Sequence, residues 1–109
     1  MRGENVSAIE LEAIADQHPD IEATAAVPVP SELGEDDILL YVELKQGRDS
    51  GGCSVFDYIA DRAPPFMVPR YVRFVDRLPR TATEKVQKAD LPRLVDATCV
   101  TRDERRRTR

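Results

Sequence analysis

The spacing of apolar positions divides the chain into six elements. Ala8, Leu11, Ile14 and Ala15 recur at intervals of three and four, the period that lays one apolar stripe along a helix. Ser7-Ala8-Ile9-Glu10 has the spacing of a capping box, in which the serine oxygen accepts from the backbone N–H three residues on and the glutamate reaches back. A helix is predicted to start there. His18-Pro19 stops it, because proline disfavours helical geometry in the residue before it. The period then changes to two: Ile21, Ala23, Ala25, Val27 and Val29 alternate with mostly smaller or polar neighbours, which predicts a strand ended by Pro28 and Pro30.

Ser31 to Asp37 reads as an acidic loop pivoting on Gly34, and Ile38 to Leu44 is a near-continuous apolar run of strand length, as a central strand requires. After a turn over Gln46 to Gly52, Ser54-Val55-Phe56-Asp57 repeats the capping signature. Val55, Phe56, Ile59 and Ala60 then supply the buried side of a short helix that ends before Pro64-Pro65. Pro69 punctuates the entry to a third strand, Tyr71 to Val75. A loop over Asp76 to Glu84, an extended piece from Lys85 to Gln87 and an irregular helix broken by Pro92 complete the pattern. The order helix, strand, strand, helix, strand, helix predicts an α+β domain, a small sheet covered by helices.

Composition narrows this further. A chain of 109 residues has room for one core, and 41% apolar with 33% charged residues fits a globular domain and argues against a disordered chain or a membrane protein. No apolar run approaches the roughly 20 residues of a membrane span. Met1 to Asn5 has no apolar region of the secretory kind, so a cytoplasmic location is expected. Cys53 and Cys99 have no CxxC spacing, and His18 is the only histidine, so the usual four-ligand zinc site cannot be assembled and two free thiols are expected. The net charge of -4 conceals an asymmetry: five arginines against Asp103 and Glu104 give Thr101 to Arg109 a balance of +3, leaving -7 for residues 1–100. No aromatic residues interleave with those arginines, so residues 97–109 read as a basic, frayed tail and not as a nucleic-acid-binding element.

Familiar catalytic clusters are missing from the sequence. There is no Gly-x-Ser-x-Gly elbow, no Gly-rich phosphate loop ahead of a helix and no Ser/His/Asp set. Glu35-Asp36-Asp37 reads as a solvated turn. Two segments carry more character than a generic domain needs. Arg2-Gly3-Glu4-Asn5-Val6-Ser7 is a polar loop feeding a capped helix. Leu78-Pro79-Arg80-Thr81-Ala82-Thr83-Glu84-Lys85-Val86-Gln87-Lys88 combines prolines, threonines and basic residues outside any amphipathic period, as a loop held in one conformation to present cations to phosphate or carboxylate.

These two segments, in this order, resemble the eighth and tenth core motifs of the adenylate-forming superfamily of acyl- and aryl-CoA synthetases, peptide-synthetase adenylation domains and firefly luciferase. Ile9-Glu10-Leu11-Glu12, His18-Pro19, Val27-Pro28-Val29-Pro30, Leu33-Gly34-Glu35, Met67-Val68-Pro69-Arg70-Tyr71 and Leu78-Pro79-Arg80-Thr81 fall in the family's order between or beside them. The resemblance implies that residues 1–96 form the C-terminal lid domain of an ATP-dependent acid:CoA ligase, with a small three-stranded mixed sheet. Its partner would be the N-terminal ATP-binding domain, which lies outside this sequence. ATP, Mg2+ and CoA would be ligands of the intact enzyme, alongside a carboxylic acid, with none bound by this domain alone. Lys85 matches the adenylation lysine of the tenth motif. Gly3, Glu4 and Asn5 match the loop that lines the pantetheine tunnel once the lid has rotated. Two other readings stand beside this one: a stand-alone binding or regulatory module of the same fold, and the lid of a carrier-protein-dependent adenylation domain. The isolated chain is expected to be inactive.

One departure from the family pattern bears on the site. Most members have glycine before the lysine, where this chain has Glu84. If the turn needs φ > 0, a residue with a Cβ there costs on the order of 1 kcal/mol and sets a carboxylate beside Lys85.

Overall fold

The structure, a computed structural model, describes residues 6–30, 36–47, 52–64, 67–93 and 99–101. In chain order its elements are helix α1 (Val6–Ala15), strand β1 (Ile21–Pro30), strand β2 (Asp36–Leu44), helix α2 (Gly52–Arg62), strand β3 (Tyr71–Val75), a single 3-10 turn at Lys88–Asp90 and a two-residue strand β4 (Val100–Thr101). The predicted α+β class holds. The three long strands form a mixed sheet, β1 antiparallel to β2 and β2 parallel to β3, with β4 added antiparallel to the outer side of β3. Parallel neighbours cannot be joined by a tight turn, and α2 supplies the crossover from β2 to β3.

Both faces of β2 are covered, which explains its near-continuous apolar run. Leu40 and Val42 point to one side, where Leu11 and Ala15 of α1 and Val55, Phe56 and Ile59 of α2 pack over them with Val72. Leu39 and Tyr41 point to the other, where the segment after β3 folds back and inserts Leu78 and Leu91, with Cys99 beside them. The Tyr41 hydroxyl ties that segment down by donating to the Pro92 carbonyl at 2.5 Å. Cys99 is buried and Val100 and Thr101 pair with Val72 and Tyr71, so the sheet takes in residues beyond position 96, where the sequence suggested that the tail begins.

The prolines of β1 do not end it. The strand runs through both, with Pro28 opposite Ile38 and Pro30 opposite Asp36. The reason is parity on an edge strand. The Ala26 N–H donates to Glu12 Oε2 of α1 at 2.7 Å, and therefore points away from β2. Thr24, Pro28 and Pro30 share its alternation. Proline has no N–H to lose on an outward-facing position, so the ladder to β2 is unharmed. At Thr24 the outward donors are met by Asp16, which accepts from the hydroxyl at 2.8 Å and from the backbone N–H. Partial burial of that carboxyl pushes its pKa above the usual aspartate range, and the two Thr24 hydrogen bonds oppose the shift. The carboxylates of Glu12 and Asp16 and the prolines together leave the edge of β1 a poor template for another chain.

Other boundaries differ locally. α2 starts at Gly52, so Ser54 lies inside its first turn and not at its cap, and Ala60 is exposed. The final irregular helix reduces, among the described residues, to the 3-10 turn at Lys88–Asp90. Lys88 belongs to the α1–β1 seam, its ammonium 2.6 Å from Glu12 Oε2. His18 is structural: buried, it accepts the Asp20 N–H on Nδ1 at 3.0 Å and packs its ring 4.7 Å from that of Tyr58.

Glu12 thus serves two donors at once. Glu12→Ala is expected to destabilise the domain by about 1–3 kcal/mol, the cost of leaving the Ala26 amide without its carboxylate acceptor and removing one ion pair of Lys88. Ile9→Ala, on the exposed side of the same helix, should stay within about 0.5 kcal/mol of the parent. Chemical denaturation of the two variants checks this, and equal midpoints would contradict it.

Candidate functional site

The Leu78 to Lys88 segment folds as a small β-hairpin against the face of the sheet opposite the helices. Its base is a buried leucine and a bridge: Leu78 inserts into the core, and Arg80 pairs antiparallel with Val86. The Gln87 N–H donates to the Pro79 carbonyl at 2.8 Å, and the Thr81 N–H donates to the Lys85 carbonyl at 2.7 Å. Between Thr81 and Lys85 lie three loop residues, Ala82, Thr83 and Glu84, closed by the Glu84 N–H donating to the Thr81 carbonyl at 2.9 Å. A three-residue hairpin loop of this pattern places its last residue in the left-handed region. Glu84 is there, with φ 68°, the only non-glycine residue with positive φ among those described. The conditional expectation is met: the turn does require φ > 0, and a glutamate supplies it.

Threonines reinforce the loop. Thr81 Oγ1 lies 3.0 Å from Thr83 Oγ1 and accepts the Lys85 N–H at 3.2 Å. The backbone of Lys85 is therefore held on both sides, by its carbonyl and by its N–H, while its side chain is exposed. No ion pair of the Lys85 ammonium is found among the described residues. Glu84 does not neutralise it: the Glu84 carboxylate lies 4.0 Å from Arg80 Nε, at the outer limit of an ion pair, and is otherwise open to solvent.

The strongest anchor of the hairpin comes from β2. Glu43 is buried, its Oε1 accepting the Leu78 N–H at 2.9 Å and lying 2.9 Å from Arg80 Nη1. Arg80 Nη1 also donates to the Leu78 carbonyl at 3.3 Å. In the sequence Glu43 is hidden inside an apolar run. The available signal was its parity: it shares the alternation of Leu39 and Tyr41, so its carboxylate had to point toward a covered face and find a partner there. A polar cleft of about 450 Å³ opens beside the pair, lined by Glu22, Lys45, Asp76 and Arg77 together with Glu43, Arg80 and Glu84. Gly3, Glu4 and Asn5, the other residues singled out from sequence, lie outside the described residues.

The arrangement is a clamped loop that holds one lysine outward. The family described as AMP-binding enzyme C-terminal domain matches residues 10–85, which take in Glu43, Arg80, Glu84 and Lys85. The chain belongs to that family. Similar proteins include a 2-methylpropanoate–CoA ligase from Humulus lupulus, 39% identical over 88 residues, which are 79% of this chain and 16% of the ligase. A 2-succinylbenzoate–CoA ligase from Geobacillus kaustophilus is 33% identical over 96 residues, 88% of this chain and 20% of that protein. Among solved structures, apo MatB from Rhodopseudomonas palustris superposes with a TM-score of 0.70 at 30% identity, over 80% of this chain and 17% of that one. The amide bond synthetase McbA from Marinactinospora thermotolerans gives 0.69 at 28% identity, over 75% and 17%. This AMP-binding enzyme C-terminal domain therefore spans a fifth or less of the length of these relatives, and it is the C-terminal domain of the adenylate-forming CoA ligase family that the two sequence motifs resemble.

Glu84→Gly removes the Cβ that the left-handed turn disfavours, and should raise stability by about 1 kcal/mol after the entropy of the freer unfolded chain is set against it. Glu84→Ala keeps the Cβ and should not. Thermal or denaturant melting of the pair decides the point, and equal stability of the two variants would contradict the account.

Proposed function

We propose that this domain is the mobile lid of an ATP-dependent acid:CoA ligase and that Lys85 is its adenylation lysine. The observation that carries the reading is the hairpin itself: its backbone is bonded on both sides of Lys85, and the ammonium is left exposed and without an ion-pair partner among the described residues. A cation presented in this way suits a second surface that brings negative charge to it. In the intact enzyme that surface would be the ATP-binding body, which lies outside this chain. Family membership and the CoA ligases among the similar proteins support the assignment.

Lys85 would act by charge. As a carboxylate oxygen of the acid attacks the α-phosphate of ATP, negative charge builds on the phosphoryl oxygens, and an ammonium already held in place stabilises it without reorganising at that moment. No covalent bond to the lysine is involved. Gly3, Glu4 and Asn5 would serve the second half-reaction, lining the path of the pantetheine thiol after the lid rotates, so that each half-reaction is completed by a different part of one small domain. Among the described residues no group of three His, Cys, Asp or Glu side chains comes together as a metal site, and no step is assigned to Mg2+ through this domain.

Joined to a matching N-terminal ATP-binding body, the domain should support acyl-CoA formation, and Lys85→Ala in that protein should slow acyl-adenylate formation roughly 100- to 1,000-fold, the range for removing one preorganised charge-stabilising group. Pyrophosphate release in the absence of CoA reads this step. Adenylation at the full rate in the Lys85→Ala protein would overturn the assigned role.

A further inference from the structure

We propose that Glu43 is a positioning residue for Lys85, acting through Arg80 and the Leu78 amide; the inference rests on the role given to Lys85 above. Glu43 sits near the end of β2, a strand with neighbours on both sides, so its backbone is held by two ladders. Its Oε1 engages the hairpin at two points, the Leu78 N–H and the Arg80 guanidinium, both at 2.9 Å. Those points flank Pro79, whose ring removes backbone freedom between them. Arg80 then pairs with Val86 across the hairpin, and the next hydrogen bond outward, from the Thr81 N–H, ends on the carbonyl of Lys85 itself. A short run of bonds thus connects the central strand to the lysine backbone.

Apolar packing alone would hold this hairpin loosely. Leu78 is buried, but Val86 is only half-buried and the tip from Ala82 to Lys85 is exposed. A charge pair taken mostly out of water is a poor device for raw stability, because desolvation offsets much of its attraction; what it supplies is direction. Arg80 Nη1 lies 2.9 Å from Glu43 and also donates to the Leu78 carbonyl at 3.3 Å, so one nitrogen is fixed between two acceptors at the base of the hairpin. Nε of the same guanidinium lies 4.0 Å from the carboxylate of Glu84, the outer limit of an ion pair.

The test compares Glu43→Gln, which keeps an acceptor for the Leu78 N–H and loses the charge facing Arg80, with Glu43→Leu, which loses both. In the 109-residue chain, amide hydrogen exchange should speed up about tenfold at Thr81 and Gln87 in Glu43→Gln and further in Glu43→Leu, with the Ala26 amide and the β1–β2 ladder unchanged. In the protein joined to its ATP-binding body, acyl-adenylate formation should fall about tenfold in Glu43→Gln, while thioester formation from supplied acyl-adenylate keeps its rate. Exchange at Thr81 and Gln87 equal to the parent would overturn the proposal, as would a uniform rise across the chain with both half-reactions slowed alike, the signature of a purely structural residue. A loosened hairpin with undiminished adenylation would also overturn it, and Lys85→Ala measured alongside shows separately whether the lysine role has failed.

Discussion

A carboxylate removed from water inside a small domain has to be met by donors, and the segment that supplies them is then committed to one place. Glu43 imposes that constraint here. It lies on a strand sandwiched between two cores, and the donors that reach it are the Leu78 amide and the Arg80 guanidinium, both from the stretch after β3. The same stretch folds back onto the sheet, buries Leu78 in the apolar cluster there and forms the hairpin. Two further carboxylates play the matching part on the other edge of the sheet, where Glu12 of α1 and Asp16 of the turn after it meet the outward amides of β1. Acidic side chains at three positions thus set how the helices and the hairpin sit on a sheet whose apolar contacts alone are less directional.

The division of labour between the sheet's two faces follows from this arrangement. The helical face is apolar and closed, with Leu11, Phe56 and Ile59 over Leu40 and Val42. The opposite face mixes apolar packing with the Tyr41–Pro92 hydrogen bond and the Glu43–Arg80 pair, and it carries the hairpin that presents Lys85. Chemistry proposed for the domain therefore sits on the polar face, at the tip of a loop, with a rigid frame behind it. This is the usual solution for a residue that has to be exposed and accurately placed at once.

Much of this was legible in the sequence, for reasons that can be named residue by residue. The three-and-four spacing of Ala8, Leu11 and Ala15 located α1, and the apolar run from Ile38 marked β2 as central because only a strand covered on both faces needs such a run. The Lys85 loop was singled out through motif resemblance, and the left-handed turn at Glu84 through the glycine that the resembled motif implies there. What escaped depended on tertiary neighbours. Pro28 and Pro30 read as strand breakers because the pattern cannot say that β1 is an edge strand whose alternate amides face α1. Glu43 was hidden by its apolar neighbours, since its meaning comes from Arg80, 37 positions further along the chain. β4 is two residues long and has no periodicity to read.

For the proposed role Lys85 has to be held out from a rigid hairpin and not carried on a loose loop. Backbone 15N relaxation of the domain measures that directly. The account predicts order parameters for Thr81 to Lys85 close to those of β2, about 0.85, despite their exposure at the surface. Values below about 0.6 across the same residues would mean that the hydrogen bonds and the Glu43 anchor do not fix the lysine, and the account would be wrong at its centre.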